Sequence, residues 1–296
     1  MIWGAVLRPY HTPAKKQGLT RLGHILVWQL AILGMTMLGP DLIGLFTSLR
    51  SADLATAKTA FGPEDLTLSS QEVQSLATRR EGEPILELVK RANTAVNKGM
   101  AHYWAPAVYN FHVPVTENWA LWLFGLLDAR FQQWEFMDYH KALDRGVGLC
   151  SQHAIVLNGL LREQGVRSQI VSLGDLHVVN RVEVAAGEWV IADPDLGVIL
   201  PDLPAITPEL IRATYRTVAL GSSAVPETGQ PDPTDAYVAA YQAPLRFSDS
   251  PNEYNSGASI IEDLACKLKW WAPLFLIVAA AALVLQSMFQ PLGYRG

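Results

Sequence analysis

The chain has 296 residues, half of them hydrophobic, and its 23 Lys and Arg against 28 Asp and Glu give a net charge of −5. A net negative chain without a basic cluster or a phosphate-binding glycine motif offers no reason to expect a nucleic-acid partner. No tight group of Cys, His and carboxylate residues has metal-ligand spacing, so we expect neither a metal nor another cofactor. The mean hydropathy of +0.15 is high for a soluble protein, and the excess lies at the two ends of the chain.

The first apolar stretch runs from Leu22 to Pro40 without Asp, Glu, Lys or Arg. A helix of about 20 apolar residues crosses a bilayer, so residues 22–47 are predicted to form a transmembrane helix. A cleaved signal peptide is a weaker alternative, because its apolar region would be only about 7–15 residues long. A buried core helix also stays open, since Gly39-Pro40-Asp41 interrupts the stretch.

The second apolar stretch runs from Trp270 to Tyr294, again without charge. The tandem Trp270-Trp271 suits the aromatic belt at a membrane surface. Residues 269–290 are therefore predicted to form a second transmembrane helix, with a buried core helix as the alternative.

Basic residues near the spans predict the orientation of the protein. Four of them precede the first span, and only Arg50 and Lys58 follow it closely, which favours a cytoplasmic N-terminus. The second span argues weakly for the reverse, because Lys267 and Lys269 precede it and Arg295 follows. First spans usually dominate. We therefore expect both termini on the cytoplasmic side of the cytoplasmic (inner) membrane. The intervening domain is expected on the other side, in the periplasm of a bacterium.

Helical and extended patterns alternate between the spans. Apolar spacing predicts a helix over residues 84–103. The aromatic segment 117–134 is predicted to be a core helix, with an aromatic wall beside a cleft or near the membrane as the alternative. Residues 154–163 form another predicted helix. Three predicted strands follow it, the last two joined as a hairpin by a turn at Gly187: residues 168–173, 178–184 and 188–192.

The segment 221–257 is rich in Pro, Gly, Ser, Asp and Thr, a composition typical of an extended linker or a partly ordered loop. The predicted organisation is a cytoplasmic segment (1–21), a transmembrane helix (22–47), a domain (48–220, core 85–197), a linker (221–268), a transmembrane helix (269–290) and a tail (291–296).

Cys150 stands where a short glycine-containing loop runs into an apolar helix. The helix dipole and the unpaired N–H groups of the first turn stabilise a thiolate at such a place. The same N–H groups, including that of Cys150, can face a developing oxyanion, and Gly148 lets the backbone approach a substrate closely. The only other cysteine, Cys266, lies at the edge of the second apolar stretch, so Cys150 has no disulfide partner in its own domain.

His177 and Asp193 follow Cys150 in the order of a nucleophile, a base and an orienting carboxylate. On adjacent strands of one sheet, the two side chains would lie within hydrogen-bonding reach. An imidazole raises the thiolate fraction and protonates the leaving group, and a carboxylate fixes its tautomer. Spacing alone is weak support, because a lone Cys with a later His and Asp is common.

Other ionisable residues receive plainer interpretations. His153, on the next turn after Cys150, is predicted to be packed or partly exposed rather than a second imidazole at the site. His140 and Asp138 are predicted to lie on the surface. Asp195 is predicted to do no more than cap the turn after the preceding Asp-Pro pair.

Four sequence motifs occur in a fixed order within residues 85–197. They are a Gly-x-Cys, a helix ending in Leu-Leu-Arg-x-x-Gly-Val, a His that begins an alternating strand, and a Gly-x-Trp ahead of an Asp-Pro. In this chain they start at Gly148, Leu160, His177 and Gly187. This set resembles the transglutaminase-like, papain-like cysteine enzyme superfamily. The resemblance implies an α+β fold with a papain-like transglutaminase core, in which the helix carrying the Cys packs on an antiparallel sheet carrying the His and the Asp.

The resemblance also assigns roles, with Cys150 as nucleophile, His177 as base and Asp193 as carboxylate. One position departs from the family pattern, because an aromatic residue often stands two residues after the His, where this chain has Val179. No motif identifies a second oxyanion donor. The candidates for oxyanion or substrate contacts are Gly148, Gln152, Asn118 and Trp119.

The expected function is that of a membrane-anchored, cysteine-dependent acyl-transfer enzyme of the cell envelope. Hydrolysis of a peptide or amide through a thioester is favoured over protein cross-linking. The alternative from another class is a non-catalytic assembly module for envelope or exopolysaccharide biosynthesis. The expected partners are a protein or peptide substrate, the lipid bilayer and, for the module, envelope-assembly proteins.

Overall fold

The structure is a computed structural model that describes residues 21–51, 66–102, 112–219, 232 and 234–289. The predicted cytoplasmic segment before Arg21, the predicted tail and the beginning of the predicted linker lie outside these residues. The fold is α+β. Its helices are α1 (Arg21–Gly44), α2 (Ser70–Ala77), α3 (Ile85–Gly99), α4 (Trp119–Leu127), α5 (Tyr139–Arg145), α6 (Cys150–Glu163), α7 (Pro208–Ala219), α8 (Asp235–Gln242), α9 (Pro251–Tyr254) and α10 (Ser256–Phe289).

A five-stranded antiparallel sheet forms the centre of the domain, with strand order β6-β5-β4-β3-β7. The predicted strands are confirmed, each within one residue of its expected bounds, and Gly187 adopts a left-handed φ of 78° in the hairpin turn. The sheet strands are β3 (Ser168–Leu173), β4 (His177–Ala185), β5 (Glu188–Asp193), β6 (Val198–Pro201) and β7 (Leu245–Ser248), and a parallel pair outside the sheet joins β1 (Ala101–His102) to β2 (Val147–Gly148).

Helices cover both faces of the sheet, because successive strand residues point to opposite sides. On one face, α3 and α6 bury a cluster that includes Val89, Leu157 and Val182. On the other face, α7 and α8 bury a second cluster that includes Val179 and Ile191. Alternation places the side chain of His177 on the same side of β4 as Val179, and that of Asp193 on the same side of β5 as Ile191.

Two helices, α1 and α10, are long and apolar enough to cross a membrane, which fits a two-pass membrane protein. Only 6% and 11% of their most apolar windows are buried, which argues against the alternative of core helices. The two helices pack closely: a Cβ on Gly34 would lie 2.8 Å from both Ile277 Cγ1 and the Pro273 carbonyl oxygen. Small residues permit such approach between helices in lipid.

The described part of the predicted linker (221–268), of which 221–257 is expected to be extended or a partly ordered loop, contains regular secondary structure. Residues 234–268 supply α8, β7, α9 and the first turns of α10, and β7 completes the sheet by pairing with β3. Glu262 of α10 accepts hydrogen bonds from Trp134 Nε1 (3.2 Å), Met137 N (2.9 Å) and Asp138 N (3.0 Å). The second span is therefore a direct continuation of a helix that packs into the domain.

The aromatic segment 117–134 is not one core helix. Helix α4 ends at Leu127, and a short 3-10 turn (Ala129–Phe131) follows it. The physical reason is Asp128, whose side chain accepts a hydrogen bond from Arg130 N and so favours a new start over continuation of the helix. Leucines of α4 are also exposed, so the helix lies at the surface of the domain.

Candidate functional site

Helix α6 begins at Cys150 itself, four residues before the predicted start. Helix α5 ends at Gly146, whose left-handed φ of 69° turns the chain into β2. The N-cap residue Leu149 offers no side-chain cap, so the N–H groups at the start of α6, including that of Cys150, are available to an oxyanion. Gly148 is required here, because a Cβ at that position would collide with the Gln152 side chain.

The pairing of β4 with β5 brings His177 and Asp193 together. Asn180 is opposite Ala192 in this antiparallel pair, so Asp193 lies beside Val179 and diagonal to His177 on one face of the sheet. The His177 Nε2 and Asp193 Oδ2 atoms are 2.7 Å apart, and both side chains are buried. This distance is that of a charge-assisted hydrogen bond.

Cys150, at the start of α6, is a further partner of the His177 side chain. Helix α6 is held against β4 by Asn180 Nδ2, which donates to the Ala154 carbonyl oxygen at 3.0 Å. Burial by itself would lower the pKa of His177, but the Asp193 charge, its hydrogen bond and the hydrogen bond to Cys150 raise that pKa well above its usual value. The imidazolium is therefore the favoured form of His177 beside the Cys150 side chain.

The Asp193 carboxylate has a hydrogen-bond donor on every side. Its Oδ1 accepts from the backbone N–H groups of Asp195 (3.1 Å) and Leu196 (3.3 Å). Its Oδ2 accepts from His177 and also from the Tyr215 hydroxyl at 2.8 Å. A buried carboxylate held by four donors has a single orientation, which suits a group that orients an imidazole.

Three tyrosines from α7 and α8 cover the His177–Asp193 pair. The Tyr237 ring stacks on Tyr215 at 4.4 Å and meets His177 edge-on at 5.5 Å. The Tyr241 and Tyr215 hydroxyls are 3.0 Å apart. Burial, followed by the Asp193 charge, raises the pKa of Tyr215 well above its usual value, so its hydroxyl remains a donor to the carboxylate. No sequence motif pointed to these three tyrosines. Tyr237 and Tyr241 belong to the segment predicted to be a linker, and Tyr215 stands 22 residues after Asp193 in the sequence.

Asp195 forms a second buried cluster with His102 and His153. His102 Nδ1 lies 2.7 Å from Asp195 Oδ1, and His153 Nδ1 lies 3.6 Å from the same oxygen. Burial would raise the pKa of Asp195, but the two histidines, led by His153, lower it to about 2. Asp195 does more than cap a turn, because it joins β1, the first turns of α6 and the end of β5. His153 is buried, in agreement with the prediction of a packed side chain. His140 is exposed, as predicted.

Further polar and aromatic groups lie beside Cys150. The Ser151 hydroxyl donates to Glu135 Oε1 at 2.6 Å. Tyr254 packs with Cys150 against the cluster around Met137. Burial, followed by the Glu135 charge, raises the pKa of Tyr254 to about 12. Tyr254 in α9 therefore approaches the nucleophile from an element C-terminal to the hairpin.

Three of the candidates for oxyanion or substrate contacts, Gln152, Asn118 and Trp119, form hydrogen bonds to backbone groups elsewhere in the structure. The Gln152 amide bonds to both Phe136 N (2.8 Å) and Phe136 O (2.6 Å). Asn118 caps α4 by accepting from the first N–H groups of that helix. The Trp119 indole donates to the Lys269 carbonyl oxygen in α10 at 3.4 Å. The reason is shared: each side chain satisfies a backbone group that burial would otherwise leave unpaired.

Within the described parts of the chain, no cluster of three or more His, Cys, Asp or Glu side chains is arranged to hold a metal ion.

Comparison with known proteins adds no relative: no family model, no curated protein and no solved structure matches this chain.

Proposed function

We propose that this protein is a cysteine-dependent acyl-transfer enzyme that acts on peptide or amide bonds. The observation that carries the proposal is the His177 ring, which meets Asp193 at 2.7 Å through Nε2 and interacts with the Cys150 thiol at the start of α6. The order of these three residues and the motifs around them resemble the transglutaminase-like, papain-like superfamily, which supports a papain-like core.

The proposed reaction runs through a thioester. The Cys150 thiolate attacks the carbonyl carbon, and the carbonyl electron pair moves to the oxygen, which the N–H at the helix start stabilises. The tetrahedral intermediate collapses, the C–N bond breaks, and the His177 imidazolium gives its proton to the leaving amine. Neutral His177 then takes a proton from a water molecule, whose oxygen attacks the thioester carbonyl. The acid is released, and the thiolate and imidazolium are restored.

We place hydrolysis ahead of cross-linking, in which an amine replaces the water in the second step. The enzyme is proposed to be anchored in the cytoplasmic membrane by α1 and α10, with its termini inside and its domain on the periplasmic side. The support for this orientation is the excess of basic residues before the first span.

The reactivity of the thiol tests the proposal without knowledge of the substrate. In intact spheroplasts, a membrane-impermeant iodoacetamide derivative should label Cys150 faster than it labels a model thiol at neutral pH. The control is Cys266, which contacts Lys141 Nζ at 3.5 Å and has no imidazole partner among the residues that the structure describes. Cys266→Ser should leave the fast labelling unchanged.

Two outcomes of the labelling experiment would contradict parts of the proposal. Labelling of Cys150 no faster than that of a model thiol, in lysed cells as well, would overturn the catalytic assignment and favour an assembly module. Fast labelling only after the cells are lysed would leave the catalytic assignment intact but reverse the orientation.

Tyr215→Phe is expected to lower turnover about ten-fold while the protein stays folded. The change removes one hydrogen bond to the Asp193 carboxylate, and a hydrogen bond to a charged group is worth about 1.5–3 kcal/mol. The matched control is Tyr241→Phe, which removes a hydroxyl that contacts Tyr215 but not Asp193. Hydrolysis of peptide p-nitroanilides and the thermal unfolding temperature provide the two measurements. Equal losses of turnover in both variants would show that the contact to Asp193 has no role of its own.

A further inference from the structure

Helix α4 has no hydrophilic face. None of its nine residues, Trp119–Leu127, is charged or polar in the manner of a surface helix. Three leucines of one helix face are nevertheless open: Leu123 is 38% exposed, Leu126 57% and Leu127 75%. A helix that is apolar all round normally lies in a protein core or in a membrane, and these exposures exclude the core.

The start of α4 lies where both candidate spans meet the domain. The Trp119 indole donates to the carbonyl oxygen of Lys269, the last charged residue before the uncharged stretch of α10. Gly44, the last residue of α1, touches the chain just before α4, because a Cβ there would collide with the Thr116 carbonyl oxygen. The helix that carries the exposed leucines therefore begins beside both candidate spans.

Charged side chains stand at both ends of α4. At its N-terminal side, the buried Lys269 donates through Nζ to the Glu117 carbonyl oxygen at 2.7 Å. At its C-terminal side, Arg130 is highly exposed and pairs with Asp128 at 2.6 Å. Cationic side chains and tryptophans favour the headgroup level of a bilayer, and leucines favour the acyl boundary beneath it.

We propose that α4 is a third membrane contact, with the face formed by Leu123, Leu126 and Leu127 inserted into the lipid interface beside α1 and α10. This contact would hold the domain in one orientation on the bilayer. Helix α10 is hydrogen-bonded through Glu262 to the loop before α5, so the site around Cys150 would keep a constant height above the lipid. The proposal does not depend on the chemistry of Cys150.

Depth measurement with a spin label tests the proposal in the full chain. In a Cys150→Ala, Cys266→Ser background reconstituted into phosphatidylethanolamine–phosphatidylglycerol vesicles, Leu127→Cys is labelled with a nitroxide. Buried in the interface, the label should collide more often with oxygen than with the water-soluble complex Ni-EDDA. The control is Leu176→Cys in the β3–β4 turn, a position of comparable exposure (58%), where Ni-EDDA should dominate.

Two results would overturn the proposal. Equal preference for Ni-EDDA at positions 127 and 176 would place α4 in water. A nearby second label would broaden the spectrum at position 127 by dipolar coupling. If strong broadening disappears when the labelled protein is diluted with a large excess of unlabelled protein, the leucine face belongs to a contact with a second copy of the chain. Leu126→Cys, on the same face, repeats the measurement in case the first variant does not fold.

Discussion

Cys150→Ala is expected to abolish acyl transfer down to the rate of the uncatalysed reaction. The described residues place no other thiol at a helix start beside an imidazole, since Cys266 lies within α10 next to Lys141. Cys150→Ser should be nearly as inactive, because His177 would have to deprotonate a far weaker acid than a thiol. Both variants should fold, since Cys150 is only half-buried and serine is close to cysteine in size.

Two assays together cover both outcomes of the thioester. Hydrolysis of fluorescent casein and peptide p-nitroanilides reports transfer to water, and incorporation of a fluorescent amine into casein reports transfer to an amine. Cys266→Ser is the matched control and should turn over at the rate of the native chain. Normal turnover by Cys150→Ala, together with an inactive Cys266→Ser, would make the assignment of the nucleophile wrong.

His177→Ala is expected to reduce turnover by about 10²–10⁴-fold, the range that a positioned acid or base contributes. The substitution removes the proton donor for the leaving amine and the cation beside the thiol. Fast labelling of Cys150 should be lost as well. His140→Ala is the control, because His140 is exposed and pairs only at the surface with Glu163. Unchanged turnover in His177→Ala would contradict the assigned base.

The same variant should change how stability depends on pH. The pKa of His177 is raised on folding, so its contribution to the free energy of unfolding is fully present below its unfolded pKa of about 6.5. The contribution is lost as the pH rises through the higher folded pKa. Thermal unfolding in detergent at several pH values should therefore show a decline above neutral pH in the native chain. That decline should be weaker in His177→Ala.

The local pattern of the sequence was sufficient for the central elements of the fold. Alternation predicted β3, β4 and β5 and the hairpin at Gly187, because strands with one buried face repeat every two residues. Long uncharged runs predicted α1 and α10, because the length and polarity of a segment can also be read from the local sequence. The order of Cys150, His177 and Asp193 was also visible in the sequence, although only the resemblance to a superfamily made it specific.

Contacts between distant segments were decided by the tertiary structure alone. Tyr215 donates to the Asp193 carboxylate, 22 residues before it in the sequence, and His102 contacts Asp195, 93 residues after it. No periodic sequence pattern extends over such separations. The polar, proline-rich composition after α7 suggested a linker, yet burial of Val238 and pairing of β7 with β3 fold part of it. Composition reports the average preference of a segment, and packing on an existing surface overrides it. The sequence by itself therefore determined the elements and the order of the reactive residues, whereas the tertiary structure decided which groups surround them.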